Sequence, residues 1–182
     1  MSRRARARQQ RPVYLNAHQI AIGRAQRLSD SDVAGQAALM QHALAEYLAG
    51  TNCPAHWRSL ADTANMAETL AAMGLGCGPD ADQIIEQGQE ALANAWQRHA
   101  ERGTWTLYPA EIEALRWLVR LHCHTQLPAR SYGELETALE RTRNRIAQAR
   151  AGNAARGTVV LAGNFDPAQP ADNLKTATET IA

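Results

Sequence analysis

The sequence predicts an all-α protein: a compact bundle of four main helices plus a short N-terminal helical segment, with a flexible basic N-terminal arm and a polar C-terminal tail. Three observations carry that expectation. Hydrophobic residues make up 45% of the chain and aromatics only 5%. Much of the apolar share is alanine, the strongest helix former, while β-branched and aromatic residues that favour strands are scarce. Apolar residues recur at spacings of three and four, which places them on one face of a helix. Glycine, proline and Ser/Asp clusters punctuate these patterns at helix-length intervals. At 182 residues the chain holds one domain plus tails, divided as arm 1–12, helical domain 13–152 and loose tail 153–182.

Residues 13–28 carry Val13, Leu15, Ile20, Ile22 and Leu28, broken by Gly23, and suit a lead-in with a short helix. Ser29-Asp30-Ser31-Asp32 starts the next helix, because these side chains accept from the free N–H groups of a first turn and their acids suit its dipole. Val33, Ala37, Met40, Leu44 and Leu48 form its stripe, and Gly50 stops it. Pro54 fits the first turn of a helix whose stripe is Trp57, Leu60, Ala64, Ala67 and Ala71, ended by Gly74-Leu75-Gly76-Cys77-Gly78. Asn65, Glu68 and Asp62 are polar intrusions there, and Asn65 reads as a buried group that fixes helix register.

Pro79-Asp80 opens a further helix with Ile85, Gly88, Leu92, Ala95, Trp96 and His99 on one side, closed by Gly103. Gly88 on an apolar stripe costs about 1 kcal/mol against alanine and so signals close approach of a neighbouring helix. Thr104-Trp105-Thr106-Leu107-Tyr108 alternates and suits a short extended connector. Pro109 opens a helix apolar around most of its circumference (Ile112, Leu115, Leu118, Val119, Leu121), the expected centre of the bundle, with Trp117 on another face and Pro128 at its end. Ser131-Tyr132-Gly133-Glu134 matches the reciprocal capping box. Leu135, Leu139, Thr142, Ile146 and Ala149 follow, with acids early and Arg141, Arg143, Arg145 and Arg150 late, in the order the helix dipole favours. Thr158-Val159-Val160-Leu161 is a small apolar island in the tail.

Charge is distributed unevenly. Arg3, Arg4, Arg6, Arg8 and Arg11 put five positive charges into the first eleven residues with no acid among them, so a net charge of +1 leaves −4 for the rest (+1 − 5 = −4). Such an arm suits phosphate contacts that are salt-dependent and indifferent to sequence. It has no interleaved aromatic for base stacking, and a solvated terminus is the plainer reading. Three cysteines, odd in number and far apart, do not form a disulfide framework and suit a reducing cytoplasm. No stretch approaches the length of a membrane helix, and no apolar run of signal-peptide type follows the basic N-terminus.

No catalytic motif stands out, and no metal or cofactor is expected. Cys53-x-x-His56 and His122-Cys123-His124 supply enough ligand types for zinc. Helical neighbours at i and i+2 diverge, however, so His122 and His124 do not share an ion on a regular helix. Gly74-x-Gly76-x-Gly78 follows a helix rather than a strand and reads as a helix stop, not a phosphate loop. Neither Glu-x-x-His nor Gly-x-Ser-x-Gly occurs. Trp57 and Trp96 lie on apolar stripes and read as core anchors, whereas Trp105 and Trp117 are candidate exposed anchors for a protein partner.

Two stretches carry a resemblance. One runs from Gly50-Thr51 through Trp57-Arg58-Ser59-Leu60-Ala61 and Asn65-Met66-Ala67-Glu68 to Met73-Gly74-Leu75-Gly76. The other runs from Gly103-Thr104-Trp105-Thr106-Leu107 through Glu111-Ile112-Glu113-Ala114-Leu115 to Leu121-His122 and Gln126-Leu127. Across residues 11–152 the chain resembles a group of small uncharacterised helical proteins of proteobacterial phages and prophages. The resemblance implies a context, the cytoplasm of an infected or lysogenic bacterium, and no activity. The expectation is a non-enzymatic accessory protein that binds and modulates a host or phage protein as inhibitor or adaptor. The alternative is a nucleic-acid-binding protein using the arginine arm, as a homodimer. An enzyme with an unfamiliar helical site would need a closed polar pocket near Asn65 and His122.

Overall fold

The computed structural model describes residues 17–150; the arginine arm, residues 13–16 and the tail from 151 lie outside the described residues. The architecture is all-α. Among the described residues six α-helices follow one another: α1 (Ala17–Ala25), α2 (Asp30–Leu48), α3 (Cys53–Leu70), α4 (Ala81–Arg102), α5 (Pro109–Arg120) and α6 (Tyr132–Arg150). These are the five helix starts and the short N-terminal segment read along the chain, one long helix more than the four main helices expected of the bundle. Beyond α3 the chain widens into a π turn, Ala71–Leu75. α5 runs into a π turn, Leu121–Gln126, and a 3-10 turn, Leu127–Ala129. The one β feature among the described residues is an isolated antiparallel bridge between Arg27 and Ser131.

Capping chemistry sets the boundaries. Ser29 is the N-cap of α2 and accepts from the Asp32 N–H at 3.1 Å. At the start of α6 the Ser131 N–H donates to Glu134 Oε2 at 2.7 Å and the Glu134 N–H returns to Ser131 Oγ at 3.3 Å, a complete capping box. Those bonds hold the Glu134 carboxyl below its usual range, with the Ser131 backbone N–H as main cause. Gly103, at φ +71°, ends α4 and bonds back to His99 O at 2.7 Å. The Gly-Cys-Gly stretch is a helix stop, with Gly74, Cys77 and Gly78 all at positive φ.

The core lies between α2, α3, α4 and α5. Its centre is α3, not α5 as the apolar circumference of α5 suggested. α3 packs against α2, α4, α5 and α6 and buries Trp57, Leu60, Ala61, Ala64, Ala67 and Leu70. Buried residues run around most of its girth, and the small Ala61, Ala64 and Ala67 among them let neighbours approach. α5 buries Leu115, Leu118 and Val119 and leaves Trp117 half exposed. Gly88 marks the closest approach of α4 to α5: a Cβ there would lie 2.8 Å from Leu118 Cδ2.

The inner face of α6 departs from the expected stripe of Leu135, Leu139, Thr142, Ile146 and Ala149 at Leu139, with Ala138 taking its place beside Thr142. Ala138 and Thr142 are buried, while Leu139 is exposed. The reason is polar. Thr142 Oγ1 bonds Thr69 Oγ1 at 2.8 Å, and Arg145 donates to Thr69 Oγ1 at 3.0 Å and pairs with Glu68 at 2.6 Å, which turns this face toward α3. α1 packs chiefly on α6, tied by Arg24–Glu136 at 3.0 Å and by the Tyr132 N–H to Gln26 O at 3.0 Å.

Candidate functional site

The two tryptophans singled out by the sequence occupy different environments. Trp117 projects from the outer face of α5, 50% exposed, with the Arg120 guanidinium 5.2 Å from its ring centroid. One turn earlier Arg116 pairs with Glu113 at 2.5 Å. Trp105, by contrast, is half buried against the core. It stacks on His99 at 4.1 Å and meets Trp57, Trp96 and Tyr47 at 6.0, 5.6 and 6.3 Å. Trp57 and Trp96 are in mutual contact at 5.3 Å, and Trp57 Nε1 donates to Leu92 O at 2.9 Å, which anchors α3 to α4.

Arg98 straps the connector over this aromatic cluster. It donates from Nε to Thr106 O at 2.9 Å, forms a fork with both oxygens of Glu111 at 2.9 and 2.5 Å, and lies 4.6 Å above the Tyr108 ring. Glu111 also accepts from the Tyr108 N–H at 2.7 Å, so one carboxylate caps α5 and holds the strap. Beneath it the Tyr47 hydroxyl and His99 Nδ1 are buried without a hydrogen-bond partner among the described residues. Burial pushes the Tyr47 phenol up.

His122, Cys123 and His124 lie in the π turn rather than a regular helix, yet the histidines still diverge. His122 is buried and bonds Gln126 Oε1 through Nδ1 at 3.0 Å, and Gln126 Nε2 bonds Ala67 O at 3.1 Å. Because Oε1 accepts, Nδ1 carries the proton of a neutral ring, and burial lowers the pKa accordingly. His124 turns outward to Gln41 at 3.4 Å. Cys123 is fully buried, which pushes its thiol to about 11. His56 meets His42 edge-on at 6.1 Å. Among the described residues no three His, Cys, Asp or Glu side chains converge as a metal site would require.

One polar groove, of about 460 Å³, opens between the C-terminal part of α3 and the outer half of α6. Glu68, Thr69, Ala72, Arg141, Asn144, Arg145 and Gln148 line it. Asn65 and His122, around which an unfamiliar enzyme site was sought, are not in its lining. The groove could not be read from the chain, because each of its residues taken alone looks like a solvated position. The available signal was Glu68, a charge intruding on an otherwise apolar helix. Arg3, Arg4, Arg6, Arg8 and Arg11 lie outside the described residues.

No protein-family model matches the chain, and neither a curated protein nor a solved structure does. Among the described residues no helix is long and apolar enough to cross a membrane.

Proposed function

We propose that this is a non-enzymatic accessory protein of phage type that binds a host or phage protein in the bacterial cytoplasm and modulates it as an inhibitor or adaptor. The observation that carries the reading is Trp117, half exposed on a helix whose inner face is fully committed to the core. Tryptophan and arginine are among the residue types most enriched where interfaces concentrate their binding energy. The cation–π contact contributes about 0.5–1 kcal/mol at an exposed site and keeps the ring presented. Trp105 serves this reading indirectly, as part of the packing behind α5. The phage resemblance supplies the context.

Affinity capture with wild-type protein and Trp117→Ala tests the proposal. A stoichiometric protein partner retained by the first and lost by the second, at equal thermal stability, supports it. Equal recovery by both, or no protein partner, refutes it.

The five arginines at the N-terminus favour a second reading, nucleic-acid binding through Arg3, Arg4, Arg6, Arg8 and Arg11. Affinity would then fall steeply with salt, with a slope set by the number of phosphates neutralised. Salt titration with and without residues 1–11 decides: an unchanged slope eliminates the arm.

A further inference from the structure

We infer that the groove between α3 and α6 is a binding site for a small phosphate-bearing anion, with Arg141 as its principal ligand. Arg141, Asn144, Arg145 and Gln148 follow one another at helical spacing and face the groove together. Their states differ. Arg145 is committed: it pairs with Glu68 at 2.6 Å and donates to Thr69 Oγ1 at 3.0 Å. Glu68, the one carboxylate in the lining, also accepts from the buried Gln89 at 2.7 Å. Thr69 is itself buried, and its hydroxyl donates to Asn65 O at 2.9 Å, so the floor of the groove is fixed.

Arg141, Asn144 and Gln148 make no hydrogen bond or ion pair with other described residues. Two arginines against one carboxylate leave the lining one positive charge in excess. A planar guanidinium with two side-chain amides after it on the same groove-lining face offers forked and single N–H donors, the set that an oxyanion with three or four acceptor oxygens satisfies. The volume of about 460 Å³ lies in the range of small-molecule sites and exceeds what a bare phosphate fills. Ala72 and the aliphatic stems of the arginines leave room for a small organic group.

The test is amide chemical-shift titration of the full-length protein at constant ionic strength, with inorganic phosphate and, separately, AMP. Saturable shifts are expected at residues 141–148. Arg141→Gln should raise Kd about tenfold or more, the loss of one charge-assisted hydrogen bond. Arg143→Gln removes the same charge from a position outside the groove lining and should leave Kd within about twofold. Tighter binding of AMP assigns an organic phosphomonoester, and equal binding assigns free phosphate; either upholds the site. Absence of saturable shifts with both probes overturns the inference, as does equal weakening by the two substitutions, which would reduce the effect to general electrostatics.

Discussion

Replacing Gly88 by alanine sets two effects of known size against each other. Alanine in a helix interior is favoured over glycine by about 1 kcal/mol. At Gly88 the new methyl would lie 2.8, 3.0 and 3.2 Å from Leu118 Cδ2, Cβ and Cγ. Optimal carbon contacts fall near 3.5–4.0 Å, so Leu118 would have to retreat by roughly 0.5–1 Å. Its Cδ2 can swing away, but its Cβ moves only with α5. Leu118 is wholly buried, so it must move against its neighbours in the core. Overpacking of this kind costs about 1–3 kcal/mol, so the net is a loss of about 0–2 kcal/mol. Gly35, in α2, is the control: it has nothing within 4 Å of an added Cβ and its φ is not positive. Gly35→Ala should stabilise by about 0.5–1 kcal/mol. Urea unfolding followed by tryptophan fluorescence measures both. Opposite signs are expected, and a Gly88→Ala protein as stable as Gly35→Ala would refute the claim that α4 and α5 touch through this glycine.

Other perturbations follow from the same contacts. Arg98→Ala leaves Glu111 without its forked partner, in a pair whose side chains are each 12% exposed, and should cost about 3 kcal/mol. The half-buried Trp105 should then report a red-shifted emission as the connector loosens, and an unchanged spectrum would separate Arg98 from that role. Asn65→Leu removes a buried amide nitrogen that has no hydrogen-bond partner among the described residues while keeping the backbone carbonyl that Thr69 uses. It should raise stability by about 1 kcal/mol in urea unfolding, and a loss would show that the amide is fixing register after all. His122 titrates below its ordinary 6.5 in the folded state because burial disfavours the imidazolium. The unfolded chain therefore takes up the proton first. Stability should be full above about pH 6.5 and fall as the pH drops toward the folded value, by up to about 1.4 kcal/mol per unit. His122→Asn should remove that part of the slope, as measured by unfolding at several pH values.

Helix starts were legible because caps are local chemistry. Ser29 and the Ser131–Glu134 box act over three residues, and sequence spacing suffices to find them. Gly88 was legible because a glycine on an apolar stripe has a cost that only close approach explains. The position of Trp105 was not, since the brief alternation of its connector does not say which face meets the core. Its burial depends on His99 stacking from α4 and on the Arg98 strap reaching Thr106 and Glu111. The centre of the bundle was misjudged for a related reason. Apolar girth in α5 drew attention, but the helix that admits most neighbours is α3, whose alanines take up little space. The π turns were hidden because widening a helical turn changes hydrogen-bond partners without altering the residue pattern. Of the candidate surfaces, the exposure of Trp117 followed from its lying off the stripe of α5. The α3–α6 groove needed two helices brought together by a threonine pair and an ion pair.

That manner of attachment predicts how the molecule opens. α3, α4 and α5 interlock through wholly buried residues such as Leu60, Leu92, Leu115 and Leu118. α6 buries Ala138 and Thr142 and otherwise holds α3 through Thr69 and the Glu68–Arg145 pair, whose side chains are 26–28% exposed. A partly exposed ion pair contributes about 1 kcal/mol or less and is screened by salt, far below the sum of several buried leucines at about 1.5–3 kcal/mol each. α1 depends on α6 in turn, through Arg24–Glu136 and the Arg27–Ser131 bridge. The two helices should therefore open together as one low-stability unit while α3, α4 and α5 exchange only through global unfolding. Native-state hydrogen exchange should show α1 and α6 amides opening at a common, lower free energy that falls further at high salt. Protection of α6 equal to that of α3 would mean that polar attachment holds as firmly as the leucine core.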